Sequence, residues 1–146
     1  MILPITLTIA GAATLLNLWI AQRVGKVRLA QRVSIGDGGS EALAARMRAH
    51  ANYVEYTPFF LILLGLVELA VGSQSWLWAV AAIYMLGRIA HAFGMDRPQP
   101  DRLRLRMIGI IVTMAILLGL SLYAIWIATM DRPRPAAVTY AAAPLR

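Results

Sequence analysis

Two stretches of the chain, residues 1–22 and 107–130, contain no Asp, Glu, Lys or Arg. Each is long enough for a helix of about 20 residues, which at about 1.5 Å rise per residue crosses a hydrocarbon core of roughly 30 Å. Composition points the same way, with 60% of residues hydrophobic, 14% charged and a mean hydropathy of +0.66. A soluble domain of this length needs more polar surface than that. A secretory signal peptide would carry basic residues ahead of its apolar run, whereas here Ile2 begins the run at once. The first stretch is therefore read as a spanning helix.

The net charge of +7 would suggest nucleic acid in a soluble protein. Here the basic residues flank apolar runs, where lipid headgroups and membrane orientation account for them, so the expected partner is the bilayer and not nucleic acid. With no cysteine there is no disulfide, no thiolate ligand and no cysteine nucleophile. Two histidines and no HExxH pattern give no metal site.

The predicted fold is all-α: one integral membrane four-helix bundle over residues 1–130, with helices at about 3–24, 41–71, 76–94 and 102–130. Residues 25–40 are read as a polar connection. Gly36-Asp37-Gly38-Gly39 forms a turn within it, lacking the Lys-Ser/Thr of a phosphate loop, and Ser40 before Glu41 is a helix cap. Pro98 and Pro100 break the chain between the third and fourth helices. Residues 131–146, rich in alanine and proline, are read as a poorly ordered tail. Lys26, Arg28, Arg32, Arg97, Arg102, Arg104 and Arg106 lie in or beside the first and third connections, and the second has no Lys or Arg. The positive-inside rule then places those two connections in the cytoplasm and both termini outside it, with Arg132 and Arg134 of the tail opposing slightly. No broken-helix pair or inverted repeat suggests a transporter.

Charges at bilayer depth cost at least about 2.5 to 3.5 kcal/mol on insertion scales, so they normally face an interior and have partners. Helix two supplies Arg48, Asn52 and Glu55, which at about 100° per residue share a face within roughly 60°. Helix three supplies Arg88 and His91, with Tyr84 one turn earlier; helix four opens with Arg102, Arg104 and Arg106. All lie toward the cytoplasmic ends. Several guanidinium groups around Glu55 and Asn52 suit a small ligand with carboxylates and an amine. The plainer alternative is an ion pair among Arg48, Glu55 and Arg88 that ties the bundle, with the helix-four arginines as interface anchors. Glu68 is expected to be a solvated end charge or a subunit-contact residue, Asn17 an interhelical hydrogen-bonder, and His50 an interface residue.

The segment Arg48-Ala49-His50-Ala51-Asn52-Tyr53-Val54-Glu55-Tyr56-Thr57-Pro58 resembles the helix-two signature of the MAPEG family, the membrane-associated proteins in eicosanoid and glutathione metabolism. Arg88-Ile89-Ala90-His91, an arginine opening the last helix, and Arg28 with Arg32-Val33-Ser34 support the resemblance, which spans roughly residues 1–130 and is to bacterial-type members. It implies a homotrimer of four-helix subunits in a bacterial inner membrane, binding glutathione as cosubstrate between neighbours near the cytoplasmic side. The glutathione-binding positions it implies are Arg28, Arg48, His50, Asn52, Glu55, Tyr56, Arg88 and His91. The thiolate-stabilising arginine is Arg106 by the Arg-x-x-Gly pattern with Gly109; an ungapped count from His91 favours Arg104 instead, and Arg106 is preferred. The implied activity is glutathione transferase or peroxidase-like chemistry on hydrophobic electrophiles. The alternative is a non-enzymatic protein of the same fold whose pocket takes an anionic lipid or other carboxylate. Met95 stands where the best-known enzymes of the family carry tyrosine, which argues against eicosanoid chemistry.

Overall fold

A computed structural model describes residues 2–96 and 100–130, with side chains for 2–96 and 103–130. It is all-helical: α1 Pro4–Gln31, α2 Glu41–Val71, α3 Ser75–Gly94 and α4 Pro100–Met130. Each helix is long and apolar enough to cross a bilayer, with 18-residue windows whose mean hydropathy runs from 1.3 in α3 to 2.4 in α4. Many of the large apolar side chains face outward, Leu15 at 69%, Phe59 at 65% and Leu118 at 62% exposed. That distribution is inside out for water and natural for lipid, where backbone groups are satisfied within each helix and apolar side chains need no cover. The tail at 131–146 lies outside the described residues.

The main apolar core joins Ile5 and Ile9 of α1, Phe60, Leu64 and Val67 of α2, Leu77, Ala81 and Tyr84 of α3, and Leu120 of α4. The start of α1 therefore meets the end of α2 and the start of α3, so consecutive helices run in opposite directions. Phe60 stacks on Tyr84 with ring centroids 3.7 Å apart, and the Tyr84 hydroxyl donates to Thr57 Oγ1 at 3.3 Å. A smaller cluster of Ile20, Tyr53 and Ala92 closes the opposite end. Arg48, Asn52, Glu55, Arg88, His91, Arg104 and Arg106 lie toward that end.

α1 runs past Val24 to Gln31, beyond the end expected from sequence. A lone glycine costs a helix only about 1 kcal/mol relative to alanine, and the residues after Gly25 are mostly helix formers. The stop comes at Arg32, which enters the left-handed region at φ 56°, while the Val33 N–H closes on the Arg28 carbonyl at 3.0 Å. The glycine turn follows as read, with positive φ at Gly36, Gly38 and Gly39 and Asp37 Oδ1 accepting from the Gly39 N–H at 3.0 Å. Ser40 caps α2, its hydroxyl accepting from the Leu43 N–H at 3.2 Å. α4 starts at Pro100, before the expected Arg102, because a proline in the first turn gives up no helical hydrogen bond.

Glu68 corrects its sequence reading. It is 1% exposed and its carboxylate accepts from the Ile5 and Thr6 N–H groups at 3.0 and 2.7 Å, from the Thr6 hydroxyl at 2.7 Å and from the Ser73 hydroxyl at 2.7 Å. α1 has no side-chain cap of its own, and Glu68 supplies one from α2. A carboxylate at a helix N-terminus satisfies orphan donors and sits at the positive end of the helix dipole.

Candidate functional site

Helical periodicity put Arg48, Asn52 and Glu55 on one face, and the structure divides them. Arg48 and Glu55 are exposed and pair with each other at 3.2 Å, their side chains 63% and 44% accessible. Asn52 points inward, and its Oδ1 accepts from Arg88 Nη2 at 2.8 Å. A spread of roughly 60° is wide enough to straddle the border between the packed and the open side of a helix. Of the alternative ion pair among Arg48, Glu55 and Arg88, only Arg48–Glu55 forms, and Arg88 takes neutral hydrogen-bond partners instead.

Arg88 is the most buried cation among the described residues, at 1% exposure. Its Nη1 donates to Thr113 Oγ1 at 3.2 Å, and its guanidinium lies 5.5 and 6.0 Å from the rings of Tyr53 and Tyr56. Among the described residues, Nε has no hydrogen-bond partner and no carboxylate forms an ion pair with the guanidinium. Glu55 and Tyr56 are close enough to act on its charge. Tyr53 is held by its hydroxyl donating to the Ala13 carbonyl at 2.7 Å, which links α2 to α1. His91, also buried, directs Nδ1 to the Arg106 carbonyl at 3.3 Å; a carbonyl only accepts, so Nδ1 carries the proton.

Arg104 and Arg106 are both exposed at the start of α4. The Arg106 backbone carbonyl is tied to α3, one turn before Gly109, where α3 and α4 pack closely. A Cβ on Gly109 would stand 2.5 Å from the Gly87 carbonyl oxygen. The arginine at this level is thereby held at a defined height beside His91.

A separate cleft of about 440 Å³ opens between α1 and α2, lined by Ala21, Val24, Gly25, Arg28, Met47, His50 and Ala51. Arg28 is braced by donating to the Gly36 carbonyl at 2.9 Å and the Ser34 carbonyl at 3.4 Å, and it touches Met47 Sδ at 3.3 Å. His50 Nε2 meets Asn17 Oδ1 at 3.0 Å, so Asn17 is the interhelical partner that its place in an apolar helix implies. Arg28 and His50 therefore share one cleft, while Arg48 and Glu55 pair with each other on the exposed part of α2.

Sequence reasoning passed over Thr113, Gly87 and an ionic junction at the same end of the bundle. Asp96 pairs with Arg23 and, at 3.4 Å, with Arg46; Arg46 also donates to the Arg23 carbonyl at 3.3 Å. Arg23 in turn donates to the Ala92 carbonyl at 3.3 Å and lies over the Trp19 ring at 4.6 Å. The junction ties α1 and α2 to the end of α3. An Asp just past the last turn of α3, with basic residues at the ends of α1 and α2, was the available signal. For Thr113 the signal was its spacing of four from Gly109, which only matters once Arg88 is known to face it.

The chain matches the profile of the MAPEG family over residues 6–126. It is also similar to the inner membrane protein YecN of Escherichia coli K12, at 33% identity over 104 residues, 70% of this chain and 76% of that protein. YecN of an Escherichia coli O6:H1 strain matches to the same extent. The family match runs from the first turn of α1 into the last turns of α4, and on it the chain belongs to the MAPEG family.

Proposed function

We propose that this protein is a bacterial inner-membrane glutathione-binding enzyme, a homotrimer with both termini outside the cytoplasm, that activates the glutathione thiol against hydrophobic electrophiles. The observation that carries the reading is Arg88, a buried guanidinium with hydrogen bonds only to neutral groups and no acid paired with it among the described residues. A bundle stabilised for its own sake would gain more from a direct ion pair, since a buried cation without one is costly at membrane depth. An anionic ligand beside it would complete the electrostatics.

The remaining groups fit glutathione in kind. Arg48 and Arg28 suit its carboxylates, Glu55 its ammonium group, and Asn52 and Tyr56 its amides. The Arg48–Glu55 pair is exposed and worth little by itself, so a ligand can take over both partners at small cost. Arg28 and His50 line the α1–α2 cleft and are not joined to the Arg48–Glu55 pair within the subunit, so a complete site calls for a neighbouring copy. Arg106, or Arg104 in its place, supplies positive charge to the sulfur. A thiol loses its proton more readily beside a guanidinium, and the thiolate then forms a bond to the electrophilic atom while the leaving group or π electrons depart from it. Such electrophiles reach the site from the lipid.

The test is the ultraviolet thiolate difference spectrum of detergent-purified protein with glutathione near neutral pH. Wild type is expected to show the band. Arg106→Ala should lose it by at least about tenfold, the equivalent of one pKa unit, while Arg104→Ala should keep most of it. Loss in Arg104→Ala alone would move the role to that residue. No band in wild type, with no protection against heat by glutathione, would leave a site for an anionic lipid or another carboxylate as the better account.

A further inference from the structure

Helix α4 is gripped on one side at three successive levels. The Arg106 carbonyl meets His91 Nδ1 at 3.3 Å, Gly109 lies against the Gly87 carbonyl, and Thr113 Oγ1 accepts from Arg88 Nη1 at 3.2 Å. Residues 106, 109 and 113 are three and four apart, so at about 100° per residue they form one strip along the helix. Thr113 is fully buried and its own hydroxyl proton goes to the Gly109 carbonyl at 2.8 Å, which leaves its oxygen turned to Arg88. Through Nη2 the same guanidinium holds Asn52 at 2.8 Å. The height of α4 is thus referred to α2 through one side chain of α3.

Among the described residues, the Arg106 carbonyl and Thr113 make the hydrogen bonds from α4 to a neighbouring helix, and apolar packing of Leu120 in the core and of Tyr123 edge-on to Trp76 at 5.4 Å adds to them. The rest of α4 is largely apolar and faces lipid through Ile108, Ile111, Leu118, Leu122 and Ile125. Lipid tails are as apolar as leucine, so such a surface slides or rotates with small penalty. A slip of one residue would move Arg106 by about 1.5 Å and turn it by about 100°.

We propose that Thr113 is a positioning residue, the pin that fixes the register of α4 and with it the place of Arg106 relative to Arg48 and Glu55 on α2. Its effect on the thiol rests on the glutathione reading above; the pin itself does not. Thr113→Val keeps the shape and removes the hydroxyl, and Thr113→Ser keeps the hydroxyl.

Two measurements test it. Because the chain has no cysteine, spin labels can be placed singly at Glu41 and Leu103, both exposed, and the α2–α4 distance distribution recorded in protein diluted with unlabelled copies. Thr113→Val should broaden or shift that distribution, and Thr113→Ser should overlay the wild type. In parallel, the pH midpoint of the glutathione thiolate band should rise by about one unit in Thr113→Val, a tenfold loss of thiolate at a given pH. The proposal is overturned if Thr113→Val matches wild type in distance and midpoint, or if Thr113→Ser is impaired as much as Thr113→Val. Absence of a thiolate band in wild type would instead overturn the glutathione reading, and the distance measurement would decide the pin alone. If Thr113→Val does not assemble, Thr113→Ala serves, with the same two outcomes.

Discussion

Gly109→Ala is expected to destabilise the protein by about 3 kcal/mol or more and to cost most of any thiolate signal, where overpacking a core typically costs about 1–3 kcal/mol. An added Cβ would stand 2.5 Å from the Gly87 carbonyl oxygen and 2.7 Å from both the amide nitrogen and Cβ of His91. Two of these are backbone atoms and the third is fixed to the backbone, so no side-chain rotation relieves the clash. The α3–α4 pair must separate, which lengthens the His91–Arg106 and Arg88–Thr113 contacts on either side of the glycine. Gly119→Ala is the control in the same helix. Nothing lies within 4 Å of its added Cβ, and alanine is the better helix former, so its stability should hold or rise slightly. Thermal unfolding in detergent compares the two variants. Equal midpoints would mean that α3 and α4 do not approach as closely as the structure shows.

Glu68→Leu is expected to loosen the start of α1 and lower stability by about 3 kcal/mol, given that hydrogen bonds to charged groups contribute about 1.5–3 kcal/mol each and are not additive. The substitution fills similar volume but leaves the Ile5 and Thr6 N–H groups and two hydroxyls without their acceptor. No side chain within α1 can take over, since its cap residue Leu3 offers no oxygen beyond the backbone. Glu68→Gln should fall between the two, because it retains one acceptor oxygen and turns the other into a donor facing donors. Hydrogen exchange at the Ile5 and Thr6 amides reads the local effect, and thermal unfolding reads the global one. Exchange that stays as slow in Glu68→Leu as in wild type would show that α1 is held by its apolar packing through Ile5 and Ile9 alone.

The contrast between Glu68 and Glu55 shows where sequence reading reaches its limit. Both are glutamates on α2, and neither their identity nor their neighbours in the chain separates a buried cap from a half-exposed partner of Arg48. What separates them is the start of α1, whose unsatisfied N–H groups arrive beside Glu68 only after the helices pack. Arg88 behaves in the same way. The cost of a charge at bilayer depth marked it as inward-facing, but periodicity could not say that it would meet Asn52 and Thr113 in place of an acid.

Elsewhere the local signals were sufficient. The uncharged runs at residues 1–22 and 107–130 required spanning helices, because length and hydropathy act without reference to any neighbour. Ser40 and the glycine turn before it were readable because a cap and a positive φ are decided within a few residues. Gly25 misled because one glycine is a small local penalty, outweighed by the helix formers after it and by the closure of α1 at Arg32 and Val33.

By itself, then, the sequence determined the number and class of the helices, the connections between them, and the helix-two segment from Arg48 to Glu55 that carries the family resemblance. Only the tertiary structure decided which of those polar groups face inward, that Gly109 brings α4 onto α3, that Arg28 and His50 share a cleft, and that Glu68 caps α1. The physical reason is that a helical period fixes the angle between side chains on one helix. The direction in which a neighbouring helix lies, and which of its donors it brings, is set by packing alone.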